Sequence, residues 1–306
     1  MKKIVVIGSS NVDTTLHVKD FPKPGETISA LEVTQAGGGK GANQAIAAAK
    51  AGSQTYFISR VGGDSEGDFM RKALNSYGVK TEYLEATPNA NTGHAYINLN
   101  EAGQNNIVID HGANYDLSTS DIEAARNLIE ACDCVIAQFE TPLEATIAAF
   151  KMAKAAGKMT ILNPAPALAE LPQELLDLTD LITPNETEAA AISGIAIDNE
   201  TALAACAEEI RDRGVENVII TYGAKGSYLS NKEVNQIVPA FKVKAVDTTA
   251  AGDTFIGYLA ANLKSDMSNL VEAATIASRA SSLAVQRLGA QPSIPTANEV
   301  KEAMEE

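Results

Sequence analysis

Short apolar runs alternate along the chain with stretches in which apolar positions recur every three or four residues. KIVVIG precedes GANQAIAAAKAG, QTYFIS precedes DSEGDFMRKALNSYG, CVIAQF precedes PLEATIAAFKMAKAAG, and KMTIL leads through LIT to NVIIT. Uninterrupted apolar runs of this length suit strands covered on both faces, and the longer period suits the helices that cover them. The pattern predicts βα units on a parallel sheet. Polar punctuation marks the helix ends: Ser120 with Glu123 reads as a capping box, Pro142 as a first-turn residue, and Gly157 after Lys154 as a stop.

Two stretches break the alternation. Residues 14–36 hold LHV and ISALEVT with no helix between them, and residues 94–110 read HAYINLN, a turn EAGQ, then NNIVID. Each predicts an antiparallel pair. Ala95, Ile97 and Leu99 alternate with Tyr96, Asn98 and Asn100, as in a sheet with one covered face and one that is solvated or meets a ligand. The pairs predict a small sheet projecting from the main one as a lid or dimer surface; a simple edge extension of the main sheet is the plainer alternative. No internal repeat or low-complexity linker interrupts the chain.

Composition narrows the class. The 306 residues are 45% hydrophobic and 21% charged, too apolar for a disordered chain, and they contain no apolar run near the ~18 residues of a membrane span. The opening MKKIVVIGSSNVD is too short in its apolar run for a signal-peptide core, so a cytoplasmic protein is expected. Cys132, Cys134 and Cys206 form no even framework and read as buried small hydrophobes. A net charge of −15 and the lack of a Lys/Arg cluster with interleaved aromatics argue against a nucleic-acid partner. A polyanionic ligand would need local positive potential from helix N-termini, backbone N–H groups or bound cations.

In open α/β sheets ligands bind beyond the carboxyl ends of the strands, so polar residues just after each strand run are the candidates. They are Asn11 and Asp13 after IVVIG, Glu140 after CVIAQF, Asn163 after MTIL, Asn185 and Glu188 after LIT, and Thr221 with Gly223 after NVII. Taken singly, Asn163 and Asn185 read as loop or cap residues; together the positions point to a cleft. GGGKGANQA, residues 37–45, opens a helix with glycines that let backbone N–H groups approach a polar ligand. It is not a Walker A loop, because Gly41 follows Lys40, and the first strand ends in Gly8-Ser9-Ser10 without a dinucleotide fingerprint.

VDTTAAGDTFIGYLAANL, residues 246–263, carries the most chemistry. Ala250, Ala251 and Gly252 leave the backbone uncovered at a helix start, where N–H groups can hold developing negative charge. Asp253 in the first turn would defeat phosphate binding if it were only a ligand, but fits a base that takes a proton from a hydroxyl beside that anion hole. As a plain first-turn acid it would stabilise the helix by ~0.3–1 kcal/mol.

NVD at 11–13, FPKPGET at 21–27, GGKGANQA at 38–45, NPAPA at 163–167, TPNETEA at 183–189, DTTAAGDTF at 247–255 and GAQPSIP at 289–295 are long and fall in a consistent order. From about residue 4 to 295 the chain resembles the ribokinases within the PfkB-type carbohydrate kinases. The resemblance implies one α/β kinase domain over residues 1–306, a doubly wound, mostly parallel sheet flanked by helices, with a four-stranded β lid inserted at 12–36 and 92–112 that pairs between subunits of a homodimer. It implies ATP-dependent phosphorylation of the 5-hydroxyl of D-ribose, with Mg2+ and K+. Asp253 matches the catalytic base and Ala250, Ala251 and Gly252 the anion hole. Asn11, Asp13, Gly39, Lys40, Gly41, Ala42, Asn43 and Glu140 match the sugar side.

Asn185, Thr221, the turn Gly223, Ala224, Lys225 and Gly226, and Ser278, which stands where relatives often carry Asn, match nucleotide contacts, together with Gly252 and Asp253. Glu188 matches the acid that organises magnesium through water. Asp247, Thr249, Ser293 and the carbonyls of Ala284, Arg287 and Gly289 match a potassium site. A kinase for deoxyribose, another sugar or a nucleoside would share Asp253, and a non-catalytic sensor would share the fold. The sugar-side set favours ribose, and the presence of Asp253 and Glu188 favours catalysis.

Overall fold

The computed structural model describes residues 1–168 and 170–305. Its first strand, β1 (Lys3–Ile7), sends Ile4 and Val6 into one apolar layer and Val5 and Ile7 into another. Covered on both sides, it has no polar face, which is why KIVVI is apolar throughout. The strands that follow are β2 (Asn11–Val18), β3 (Glu32–Gly38), β4 (Gln54–Gly62), β5 (Lys80–Thr87), β6 (Gly93–Asn100) and β7 (Asn105–Asp110). Beyond them come β8 (Cys134–Ala137), β9 (Met159–Leu162), β10 (Leu181–Ile182), β11 (Asn217–Thr221), β12 (Ser227–Ser230) and β13 (Asn235–Val238). Nine strands form the main sheet in the order β13-β12-β11-β10-β9-β8-β1-β4-β5. Pairing is parallel from β5 to β11, and β12 and β13 add antiparallel.

The helices are α1 (Lys40–Lys50), α2 (Ser65–Ser76), α3 (Thr119–Ala124), α4 (Arg126–Glu130), α5 (Leu143–Ala155), α6 (Gln173–Asp177), α7 (Glu186–Ser193), α8 (Glu200–Asp212), α9 (Ala251–Asn262), α10 (Leu270–Ala284) and α11 (Ala297–Glu305). Apolar residues of α1, α2, α9, α10 and α11 cover one face of the sheet, and those of α3 to α8 cover the other. Because β1 lies between β4 and β8, the chain leaves it in one direction and later returns on its other side. That reversal opens a crevice at the carboxyl ends of β1 and β8.

A separate four-stranded sheet has the order β3-β2-β6-β7, with β2 and β6 parallel and the outer pairs antiparallel. The expected hairpin-like pairs are present, but ISAL lies outside the strands and the burial differs from the expected alternation. Ile97 and Leu99 are only half-buried, while Asn100 is buried by its own turn, where its side chain bonds to Gln104. The register puts Asp13, Ala95, Ile97, Leu99, Ile107 and Ile109 on one face, which nothing in the single chain covers fully.

Two helix starts also differ from expectation. The capping box of α3 is Ser118 with Asp121, not Ser120 with Glu123: Ser120 bonds to Ser118, and Glu123 pairs with Arg126. Pro142 is the N-cap of α5, one residue before its first turn. Gly157 ends α5 with φ 68°, as its position after Lys154 suggests.

A close contact between α9 and α1 positions the site. A Cβ on Gly257 of α9 would lie 2.4 Å from Ala47 Cβ and 2.7 Å from both Ala48 N and Gln44 O of α1. Small residues here let the two backbones meet, and overpacking such a contact costs ~1–3 kcal/mol. Gly257→Val is expected to separate α9 from α1 and lower stability by at least that amount, read as a lower urea midpoint at unchanged slope.

Candidate active site

The carboxyl edge of the parallel strands collects the polar residues that the sequence placed after each strand run. Asn11 begins β2 just beyond β1, Glu140 follows β8, Asn163 follows β9, Asn185 follows β10, and Thr221 ends β11, where it bridges to Asn185. Asn11 is buried and its Oδ1 accepts from Asn114 Nδ2 at 2.7 Å, which leaves its amide N–H groups for another acceptor. The Asp13 carboxylate lies over Gly38, where a Cβ would come within 2.2–2.3 Å of the carboxylate atoms, so only glycine fits beneath it.

The glycine-rich turn folds around Ser9. Gly39, with φ 89°, caps α1, and a Cβ there would lie 2.9 Å from Asn11 N and Ser9 O. Gly41 N–H donates to Ser9 Oγ at 3.4 Å and Ala42 N–H to Ser9 O at 2.9 Å. Both residues, expected on the sugar side, are buried with their N–H groups already engaged; they support the turn from beneath. A Cβ on Gly41 would lie 2.6–2.7 Å from Gly8 C and Cα, so the glycine permits β1 and α1 to touch. Glu140 accepts from Ser9 Oγ and from Lys40 N–H at 3.2 Å.

Asp253 lies in the first turn of α9, buried against α1. Asn43 Nδ2 donates to its Oδ2 and Gln44 Nε2 to its Oδ1, both at 3.0 Å. Asn43 Oδ1 has no partner although it is buried. Ala250, the N-cap, has φ 58°, a left-handed conformation that costs a non-glycine residue ~1–2 kcal/mol. Ala251 N–H is taken by Thr248 O at 3.2 Å, whereas the N–H groups of Gly252 and Asp253 have no acceptor among the described residues. The expected anion hole is thus narrower than three successive N–H groups.

Charge accumulates here. Asp253, Glu140 and Glu188 lie around Lys40, and Asp13 lies beside Glu140 and Asp253. Burial, and then Glu140 and Asp253, push Asp13 up to about 7. Burial raises Asp253, opposed by Lys40 and the two amides and reinforced by Glu140. Burial pulls Lys40 down, but Asp253, Glu140 and Glu188 outweigh it and leave the ammonium above its usual value. Glu188 is raised by burial despite the Asn185 N–H and Lys40.

Asn185 and Glu188 form the capping box of α7: Asn185 N and Nδ2 donate to Glu188 at 2.9 Å each, and Asn185 Oδ1 accepts from Glu188 N at 2.8 Å. The cap reading of Asn185 therefore holds, and it orients Glu188. Gly223 (φ 50°), Ala224 and Lys225 form an exposed turn, and Lys225 Nζ donates to Tyr222 Oη at 2.6 Å. Gly226 packs where a Cβ would lie 2.0 Å from Val238 O. Ser278 is a mostly buried position of α10 with no bond to the other candidate residues.

Asp247 joins two loops: its Oδ1 accepts from Thr249 N at 2.9 Å and Thr249 Oγ1 at 2.6 Å, and its Oδ2 from Gly289 N at 2.9 Å. Burial would raise its pKa, but these bonds bring it below the usual value. Ser293 Oγ donates to Ala290 O, and Ala284 O accepts from Arg287 N. Among the described residues no group of three or more His, Cys, Asp or Glu side chains is placed to hold a metal.

Sequence reasoning missed Ser9, Gly38, Gln44, Asn114 and Gln138. Two had a signal: Gln138 interrupts the apolar run CVIAQF, and Gln44 is polar inside an alanine-rich helix. Both are fully buried.

The pfkB family carbohydrate kinase model matches residues 1–297. The chain belongs to that family. It is 49% identical over 97% of its length to a bifunctional ribokinase/ribose-5-phosphate isomerase A of Fructilactobacillus sanfranciscensis, of which it spans 55%. It is 46% identical to the ribokinase of Staphylococcus aureus, over 98% of this chain and 99% of that one. The solved structure of Arabidopsis thaliana ribokinase complexed with ribose and ATP superimposes with a TM-score of 0.90 at 35% identity, covering 100% of this chain and 99% of that one. The carbohydrate kinase fold therefore accounts for both sheets of this chain.

Because the folded-state value of Asp13 lies above the ordinary 3.8, its ionisation opposes folding, and stability falls as pH rises from 3.8 through about 7. Asp13→Asn is expected to raise the melting temperature of the ligand-free protein by several degrees at pH 8. The gain should shrink toward pH 4, as followed by thermal melts across that range.

Proposed function

We propose that this carbohydrate kinase transfers the γ-phosphoryl group of MgATP to the 5-hydroxyl of D-ribose, giving D-ribose 5-phosphate and ADP. The ribose- and ATP-bound relative supports the substrates. The observation that carries the chemistry is the Asp253 carboxylate, held by two amide N–H donors one residue from the free N–H of Gly252. Asp253 takes the 5-hydroxyl proton as that oxygen attacks, and the N–H groups of Gly252 and Asp253 stabilise charge on the phosphoryl group in flight. Burial raises the affinity of Asp253 for that proton, which suits a base working near neutral pH.

Asn11, Asp13, Gly39, Lys40, Asn43 and Glu140 hold the sugar, with Gly41 and Ala42 shaping the turn. The unpaired Asn43 Oδ1 and the free amide of Asn11 give a polyhydroxyl ligand an acceptor and a donor, and an analogue lacking one hydroxyl leaves such groups unpaired. Asn185, Thr221, Gly223 to Gly226 and Ser278 line the nucleotide side. Glu188, oriented by Asn185, would hold the magnesium of MgATP through water, since Mg2+ usually keeps several of its waters, and the ion would offset charge on the phosphates.

A monovalent cation such as K+ would suit the loops that Asp247 joins, because Asp247 Oδ2 accepts from Gly289 N–H and so ties the loop before α9 to the loop after α10. Asp247, Thr249, Ser293 and the carbonyls of Ala284, Arg287 and Gly289 would hold it, and its charge would order the neighbouring start of α9. The small sheet acts as a lid over the sugar, excluding water from the transfer. Its face carrying Ile97, Ile107 and Ile109 pairs with a second copy, which would cover the exposed Ile107 and Ile109 side chains. The three cysteines are free and buried, in keeping with a reducing cytoplasm.

ADP release from MgATP in potassium buffer should rise selectively with D-ribose over deoxyribose, fructose and adenosine. Stimulation by none of them would overturn the proposal. Asp253→Asn is expected to lose ~10²–10⁴-fold or more in kcat while keeping ribose affinity by calorimetry, and near-normal turnover would sink the base assignment. In sedimentation at micromolar concentration the wild type should be a dimer and Ile107→Asp a monomer; a monomeric wild type contradicts the lid pairing.

A further inference from the structure

The base assignment leaves a buried chain of amides unexplained. Gln44 and Gln138 are fully buried, and Asn163 and Asp253 nearly so. The chain starts at a backbone carbonyl, which can only accept. Asn163 Nδ2 donates to Thr183 O at 3.2 Å, so Asn163 Oδ1 faces the other way, toward Gln44. Gln44 Nε2 then gives one N–H to Asn163 Oδ1 and the other to Asp253 Oδ1, both at 3.0 Å. Its Oε1 is left to accept from Gln138 Nε2 at 2.6 Å. Both N–H groups of the Gln44 amide meet acceptors and its Oε1 meets a donor, and a flipped amide would press Oε1 against the carboxylate.

We propose that Gln44, oriented by Asn163 and Gln138, is the positioning residue of Asp253, holding the carboxylate oxygen opposite to the one bound by Asn43 and favouring its charged form. The inference rests on Asp253 being the base and goes beyond it in naming what aims it. Stability alone does not explain the network. Gln138 Oε1 is buried without a partner, and it sits where a Cβ on Gly8 would come within 2.0 Å, so the backbone at the end of β1 is kept bare to admit it. An apolar side chain at 138 would avoid that orphaned acceptor.

The division of labour between the two amides follows from exposure to the cleft. Asn43 keeps an unpaired oxygen for a ligand, whereas Gln44 has no free polar atom and touches Asp253 from the buried side. The charged groups around Asp253 are Lys40 on α1, Glu140 after β8, Asp13 on β2 and Glu188 on α7. Arg279 of α10 turns away to the Ala303 carbonyl. Lys40 is the one cation that acts on the carboxylate among the described groups, and the Gln44 and Asn43 donors work in the same direction as its charge, against burial and Glu140.

Gln44→Met removes the donor at nearly constant volume. The expected result is a kcat 10- to 100-fold lower, with the KM for ribose and the affinity for ATP within about threefold, and an acidic limb of kcat/KM displaced upward by about one pH unit. Gln138→Met leaves Gln44 in place but frees its Oε1, and should move the limb in the same direction by less; it also serves if Gln44→Met does not fold. A limb unmoved in the folded variants, whatever happens to kcat, would reduce Gln44 to a packing residue and overturn the proposal. Asp253→Asn measured alongside separates the two ideas: an active Asp253→Asn removes the base itself, whereas an inactive one with a wild-type limb in Gln44→Met and Gln138→Met rejects only the positioning role.

Discussion

Where α9 meets α1, Gly257 faces Ala47 and Ala48 with no room for a side chain between the backbones. That contact sets the distance from the first turn of α9 to the first turn of α1, and so it sets where the Asp253 carboxylate stands relative to Asn43 and Gln44. A second bare contact, Gly8 on Gly41, does the same between β1 and α1. Both places spend side-chain volume that would otherwise fill the core. In return, groups from three distant parts of the chain meet within hydrogen-bond distance.

The arrangement works against stability in the empty protein. Carboxylates outnumber the one lysine of the cleft, and burial deprives them of water, so Asp13 rises to about 7 and Asp253 and Glu188 rise as well. Ala250 adds a left-handed backbone conformation at the point where α9 begins. Such conflicts between local preference and fold are characteristic of sites that act on a ligand. A polyhydroxyl ligand would relieve the first conflict by donating to the carboxylates.

The small sheet is built on the same economy. Its strand β2 begins beside the carboxyl end of β1, so Asp13 belongs at once to the sheet and to the cleft. Moving this sheet moves a carboxylate of the cleft. The apolar residues that share the face of Asp13 remain open in the single chain, and a partner covering them would also bear on the position of that carboxylate.

Much of this was legible in the residue order. The alternation of apolar runs and helical periods specified the parallel sheet, because a strand covered on both faces tolerates no polar side chain, and the same rule put Asn11, Glu140, Asn163, Asn185 and Thr221 at its carboxyl edge. The motif around Asp253 announced a helix start with a carboxylate beside a bare backbone. What periodicity could not reveal is which groups pair across long sequence separations. That Asn114 occupies Asn11, that the N–H groups of Gly41 and Ala42 are spent on Ser9, and that a row of amides from Thr183 to Gln138 aims Asp253 depend on contacts between residues far apart in the chain. Hydrogen bonds of buried amides are assigned by geometry in three dimensions, and only the packing of α1 against α9 and β1 decides that geometry.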